Sequence, residues 1–352
     1  MRRIVLLLIL ITFVSCNNTS VNVDKKKQEI QQEKPQEISY KEKELVLNDS
    51  FDIGDVRRYG IFPDSSFTYT HPVTNKPKIT SVLDLAEQTD LEIFFPKGFY
   101  NMALILDGRE NLKMKFDHAE FDMILIKKGV NKKKNLKSIT LKGTIITYDR
   151  LGITEAQNIR IDTVYIRSDI TKNKRKLRSR GCHIYYGSKD ILIKHLEIDD
   201  FGSGGEKYKN NHAALALDGW RNNPENVTIH KLHIKSSDRH GIYLTGKNHK
   251  IDEIIIDQFG VGDDIGMSGM QDAGEIEHKL FSGIWINRCY NSSITSLTIN
   301  AGASKGFFTA NFDEGDSLRP TIIDKLEIIK IDRKLPIRFA KNTGVIVKEI
   351  IK

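Results

Sequence analysis

Val227-Thr228-Ile229-His230-Lys231-Leu232-His233-Ile234, followed by Gly241-Ile242-Tyr243-Leu244, is one unit of a repeat that decides the architecture. Each unit sets out inward apolar pairs in order, with a polar residue between the members of a pair, as the two-residue period of a β-strand requires. The first pair recurs as Ile139/Leu141, Ile159/Ile161, Ile191/Ile193, Val227/Ile229, Ile251 with Ile254, and Ile294 with Leu297. A second follows at Ile145, Val164/Ile166, Leu196/Ile198, Leu232/Ile234, Ile256 and Ile299. A third closes the turn at Ile184/Tyr186, Leu215/Leu217, Ile242/Leu244, Ile284/Ile286 and Phe307. Three short strands per turn predict an all-β chain wound as one right-handed parallel β-helix, in which each coil buries its apolar face only against its neighbours. An antiparallel sandwich would give many short strands without repeating the same triplet.

The 352 residues, 39% hydrophobic and 28% charged, suffice for one large core. Met1-Arg2-Arg3 is a basic start, residues 4–14 are apolar but too short to cross a bilayer comfortably, and Ser15-Cys16 follows. That order predicts a secretory signal peptide over residues 1–15. Phe13-Val14-Ser15-Cys16 resembles the lipobox of bacterial lipoproteins. The resemblance implies acylation at Cys16 and an exported, membrane-anchored protein of the bacterial cell envelope, on its periplasmic or outer-membrane face. Residues 16–50 include Lys25-Lys26-Lys27 and a Gln/Glu/Lys-rich run, and read as a flexible tether before a β-helix domain over 51–352. Cys182 and Cys289 are the only other cysteines, too few for a disulfide framework. The net charge of +8 favours acidic glycans or anionic envelope surfaces. No phosphate-cradling Gly loop, paired cysteines or basic helix points to a nucleotide, zinc or nucleic-acid partner.

Asp55-Val56-Arg57-Arg58-Tyr59-Gly60, the amphipathic Ser81-Val82-Leu83-Asp84-Leu85-Ala86-Glu87, and Leu91-Glu92-Ile93-Phe94-Phe95-Pro96-Lys97-Gly98-Phe99-Tyr100 follow one another. Their order resembles the leading segment of pectate-lyase-like β-helix proteins: a turn, a capping helix, then a strand ending in Pro-x-Gly-x-Tyr. The resemblance implies an N-terminal capping helix.

Stacking turns equivalent rung positions into neighbours about 4.8 Å apart. Aligned on Gly241-Ile242-Tyr243-Leu244, the third strands put Tyr185, Ala216, Tyr243, Trp285 and Phe308 in one outward column. Such a row suits the stacking of sugar rings, or else is covered by residues 267–280. One step earlier His183, Ala214, Gly241, Gly283 and Gly306 predict a trough. Arg167, Asp199, Lys235, Asp257 and Asn300 form a second column, and His212, Asp238, Arg239, His240, Asp263, Asp264 and Lys305 gather before the third strand. The former is open to reading as exposed ion pairs, while the latter has the mixture that proton transfer requires. Tyr185, Trp285, Phe308, Lys235 and Lys305 are the expected substrate contacts.

Asp238-Arg239-His240-Gly241-Ile242 resembles the Asp-Arg-His-Gly-apolar motif of mannuronan C5-epimerases and the Arg-His-Gly of some alginate and chondroitin lyases. The resemblance implies catalytic Arg239 and His240, with Asp218 as the carboxylate one rung earlier. The family's Tyr-Gly-x-Asp is absent, so Tyr185 or Tyr243 stands in for its tyrosine. A uronate C5–H is weakly acidic, so Arg239 would neutralise the carboxylate while His240 or His212 removes the proton. A proton donated to the leaving oxygen gives β-elimination, whereas one returned to the opposite face of C5 gives epimerisation. The same residues serve both outcomes, and an anchored envelope protein without an obvious synthesis partner makes degradation the first reading: a lyase of a uronate-containing acidic polysaccharide. Gly262-Asp263-Asp264-Ile265 looks like the Gly-Asp-Asp-x-Ile rung of polygalacturonases, which implies a hydrolase instead. Turn, calcium site and catalysis all stay open for Asp263 and Asp264, and no other cofactor is implied. A non-catalytic glycan-binding β-helix is the third class.

Overall fold

The inward pairs form what their spacing predicts: all the strand ladders of the described residues are parallel, and each strand pairs with its equivalent one coil away. The computed structural model describes residues 42–64, 69–128, 136–202, 213–261, 281–332 and 334–352. A long strand and a short strand alternate, as in Lys189–Ile198, Ala213–Asp218, Glu225–Ile234 and His240–Lys247. Ile191 lies against Val227 and Ile198 against Ile234 in one ladder, and Leu215 against Ile242 in the other. The protein is an all-β parallel β-helix.

The first two predicted strands of each turn are one hydrogen-bonded strand with a bend. In Lys189–Ile198 the inward pair Ile191/Ile193 is followed by two consecutive outward residues, Lys194 and His195, before Leu196/Ile198 point inward again. His230-Lys231 does the same between Val227/Ile229 and Leu232/Ile234. Two outward residues in succession shift the alternation by one, so the chain turns a corner while its ladder continues. These isoleucines, leucines and valines are at most 1% exposed and make the core, each stabilising it by about 1.5–3 kcal/mol.

A polar ladder fixes another corner. Asn158, Asp190, Asn226, Asn248 and Asn291 each precede the first inward pair of their coil in the left-handed backbone region, at φ of 56°, 56°, 56°, 58° and 47°. Asn and Asp tolerate that region better than other residues with a side chain. Asn226 Nδ2 donates to Asp190 Oδ1 at 2.8 Å, and Asn248 Nδ2 to Asn226 Oδ1 at 3.1 Å.

The predicted capping helix spans Lys78–Thr89 and buries Val82, Leu83, Leu85 and Ala86. Before it, Val56–Tyr59 is a 3-10 helix capped by Asp55, which accepts the Arg57 amide, and ends at Gly60 with φ of 73°. The folded part begins earlier than residue 51. Glu42–Leu45 is a short helix whose Leu45 is fully buried and whose Glu42 pairs with Arg58 at 2.7 Å. The described residues all fall within one compact unit, Ser39–Lys352. No helix among them is long and apolar enough to cross a membrane. Cys182 and Cys289 are buried free thiols. Cys16, the expected site of acylation, lies outside the described residues.

Candidate functional site

Tyr243 is the outward residue of His240–Lys247, and register places it between Ala216 on one side and Trp285 on the other. Its ring centroid is 4.7 Å from that of Trp285, and the His240 ring is 5.3 Å from the same indole. The Trp285 Nε1–H donates to Asp313 Oδ2 at 3.3 Å. Burial pushes the Tyr243 phenol above its usual pKa, and the Asp218 charge adds to this while a hydrogen bond from Asn287 opposes it. Tyr243 therefore carries its proton at neutral pH and can donate it.

The predicted aromatic column is shorter than the sequence suggested. Tyr185 pairs with Asp218 and Thr154, so it stands two residues out of register with Tyr243. The reason is that Cys182, fully buried, takes the first inward position of its strand, Ile184 takes the second, and Tyr186 is 50% exposed. His183 occupies the Ala216–Tyr243–Trp285 column instead, and its ring stacks on Tyr185 at 5.0 Å. Phe308 is likewise displaced: it pairs with Ser282, because Ala310 and Phe312 are the inward residues of Phe308–Phe312. Asn311 holds the place expected for Phe308 beside Trp285.

The glycine trough is also corrected. A Cβ on Gly241 would lie 2.5 Å from Gly283 O and 3.1 Å from Ile256 Cδ1, and one on Gly283 would lie 3.0 Å from Ile299 Cγ2, so Gly241 and Gly283, unlike the exposed Gly306, face the core. They are small because neighbouring coils approach there, and they leave no outward groove.

Arg239 has no exposed surface and is the largest fully buried side chain among the described residues. Its amide donates to Ser237 Oγ at 3.3 Å and its carbonyl accepts from Gly260 at 2.8 Å. Burial depresses the guanidinium pKa, with Asp238 opposing. The outward, substrate-facing Arg239 of the sequence reading is thus a buried cation. His240 is only 5% exposed and lies edge-on to Phe281 at 5.1 Å. Its Nδ1 accepts the Ser282 amide at 2.9 Å. An Nδ1 that accepts holds no proton, which puts the neutral ring's proton on Nε2. In this tautomer His240 is a hydrogen-bond donor, not the base.

Asp218 ends Ala213–Asp218, and its Oδ1 accepts the amides of Gly219 at 2.7 Å and Trp220 at 3.1 Å. Turn formation thus engages one oxygen. Lys235 is held by Glu197 at 3.1 Å and Asp199 at 3.4 Å in the expected ion-pair column, with Arg167 on the same carboxylates. Lys305 is exposed. His212, Asp263 and Asp264 lie outside the described residues. Among the described residues no group of three or more His, Cys, Asp or Glu could hold a metal ion.

A separate open cleft of about 420 Å³ lies over the polar ladder, lined by Asp90, Asn111, Lys113, Ser138, Thr140, Asn158 and Arg160. Its Lys113 is already paired with Asp90 at 2.6 Å, and it holds no proton-transfer set. The aromatic face is the better candidate.

These features define a parallel β-helix with an aromatic and imidazole face on its short-strand sheet. No known protein family, curated protein or solved structure matches the chain.

Proposed function

We propose that the chain is a polysaccharide lyase of the pectate-lyase-like type, acting on a uronate-containing polysaccharide bound along the short-strand face. The observation that carries this reading is the Tyr243–Trp285–His240 cluster, with ring separations of 4.7 and 5.3 Å. Indole and phenol faces offer apolar area to the C–H-rich side of a sugar, and two proton donors stand beside it. In β-elimination a base removes the C5 proton, the electron pair forms the C4–C5 double bond, and the glycosidic oxygen departs with a proton. Tyr243 O–H or His240 Nε2–H serves that last step. The base then falls to His212, the remaining candidate from the sequence. Burial leaves Arg239 to hold the corner that positions His240. The chain works at the envelope surface, tethered through Cys16.

A non-catalytic glycan-binding β-helix is favoured by one specific observation, the packing of Arg239 and His240 at 0% and 5% exposure. A C5-epimerase or a polygalacturonase-like hydrolase would use the same face. Incubation with a panel of acidic polysaccharides separates them. The lyase gives new reducing ends together with ultraviolet absorbance of the unsaturated uronate. Reducing ends without absorbance mean hydrolysis, altered sugar configuration without new ends means epimerisation, and binding without products means the non-catalytic class.

A further inference from the structure

Three guanidinium groups and one carboxylate meet on the short-strand side, N-terminal to the aromatic cluster. Asp149, 1% exposed, accepts from Arg180 through both Nε, at 2.8 Å, and Nη2. Arg175 reaches the same carboxylate with Nε at 3.0 Å and Nη2 at 2.7 Å. Arg180 thus grips both oxygens of Asp149 and Arg175 shares Oδ1, so the one carboxylate that these guanidinium groups meet among the described residues is engaged twice. Arg150, the first residue of Arg150–Thr154, is left over: its buried Nε has no hydrogen-bond partner. Burial lowers its pKa most, Arg180 and Arg175 lower it further by repulsion, and Asp149 only partly compensates. A partly buried cation in this position is destabilised until an anion arrives.

Its surroundings suit such an anion. The side chain runs past Gly152, where an added Cβ would stand 3.8 Å from Arg150 Nε and 4.0 Å from Cδ. Gly152 is paired with His183, the residue stacked on Tyr185. Arg150 also lies near enough to Tyr185 for its charge to act on that phenol. Arg150–Thr154 pairs with Gly181–Tyr185, which pairs with Ala213–Asp218, which pairs with His240–Lys247. The guanidinium thus belongs to a strand three rungs, or about 14 Å, from that of Tyr243, within the length of a short oligosaccharide lying along the stack.

We propose that Arg150 is an anion subsite of the glycan face, reading the carboxylate of a uronosyl residue or the sulfate ester of a sulfated sugar, three rungs from the Tyr243–Trp285 pair. This rests on the glycan reading above and adds to it the residue that selects charge. A planar guanidinium is suited to either group, because both accept two parallel N–H bonds.

The test is calorimetric titration of the full chain, as wild type, Arg150→Gln and Arg150→Lys. The probes are a defined oligouronate, its carboxyl-reduced neutral counterpart, and a sulfated form of that counterpart. Wild type is expected to prefer an anionic sugar by about tenfold or more, the size of a charge-assisted hydrogen-bond pair. Arg150→Gln loses the preference while binding the neutral sugar as before, and Arg150→Lys keeps part of it. A preference for the oligouronate assigns carboxylate, and one for the sulfated sugar assigns sulfate ester; both support the subsite. An unchanged preference in Arg150→Gln overturns the subsite and leaves the glycan reading standing. No binding of any probe overturns both. Arg150→Gln should also melt no lower than wild type, since it removes a cation without a partner. A lower melting temperature would mark Arg150 as structural and overturn the proposal.

Discussion

His249 is 2% exposed where His240–Lys247 hands over to Lys250–Ile256, and both ring nitrogens are engaged. Nε2–H donates to Thr245 O at 2.9 Å, and Nδ1 accepts the Val227 amide at 3.2 Å. A proton on Nδ1 would point at that amide and put a charge in the core. Burial accordingly brings the pKa down from 6.5 to about 4, with the Thr245 carbonyl opposing. Because the folded pKa is depressed, the unfolded chain takes up the proton first as the medium acidifies. The stabilisation from keeping this ring neutral is complete above about pH 6.5 and is lost progressively down to about pH 4. Linkage between these two values gives a loss of about 2 kcal/mol at pH 5 and about 3 kcal/mol when both states are protonated. Urea unfolding followed by far-ultraviolet circular dichroism, at about pH 7.5 and about pH 5, measures it. His249→Gln keeps a donor for Thr245 but cannot titrate, so its stability should fall by about 2 kcal/mol less over the same interval. His195, Asp84 and Glu197, whose pKa values are also lowered, titrate in both proteins and cancel in the comparison. Equal slopes in the two proteins would refute a buried neutral imidazole.

Gly241→Ala should cost about 2 kcal/mol or more, because the new methyl meets the backbone of the next coil; an unchanged urea midpoint would mean that Gly241 does not face the core. Asn226→Ala should cost about 1–2 kcal/mol through lost ladder bonds and a strained φ, and Asn226→Gly should recover part of it; if glycine melts as low as alanine, the left-handed backbone is not the cause. His240→Asn retains an acceptor for the Ser282 amide but removes the Nε2–H donor. It should fold normally and lose about 10²–10⁴ in turnover, and full activity on the uronate substrate would remove His240 from the chemistry.

The apolar pairs were legible because burial at every second residue leaves a direct mark in the sequence, and the capping helix was legible for the same reason at its own period. Register was harder. Alternation says which side of a strand a residue occupies but not which inward pair opens the rung. Tyr185 slipped by two residues because Cys182 is inward, and Phe308 by three because Ala310 and Phe312 are. The Asn ladder was written plainly before each first pair, at Asn158, Asp190, Asn226, Asn248 and Asn291, but a search for apolar period passes over polar residues. Arg239 and His240 were found as a motif, yet a motif carries no information about depth, and both are buried. Arg150 left no signal, since its unmet charge depends on Asp149 being taken by Arg175 and Arg180.

The ladders share a property with consequences for how the chain is made. Ile191 pairs with Ile159, Val227 with Ile191, and Ile251 with Ile229, so each partner lies one coil earlier in the chain. Among the described strands, none waits for a remote one to be synthesised. Each new coil meets a finished template directly behind it, and the entropy of closing the loop is the same modest quantity every time. Ordering can thus advance from the helical cap toward the carboxyl end as residues emerge. A lesion such as an inward charge would stop that advance at one coil, leaving the coils before it intact and those after it without a template.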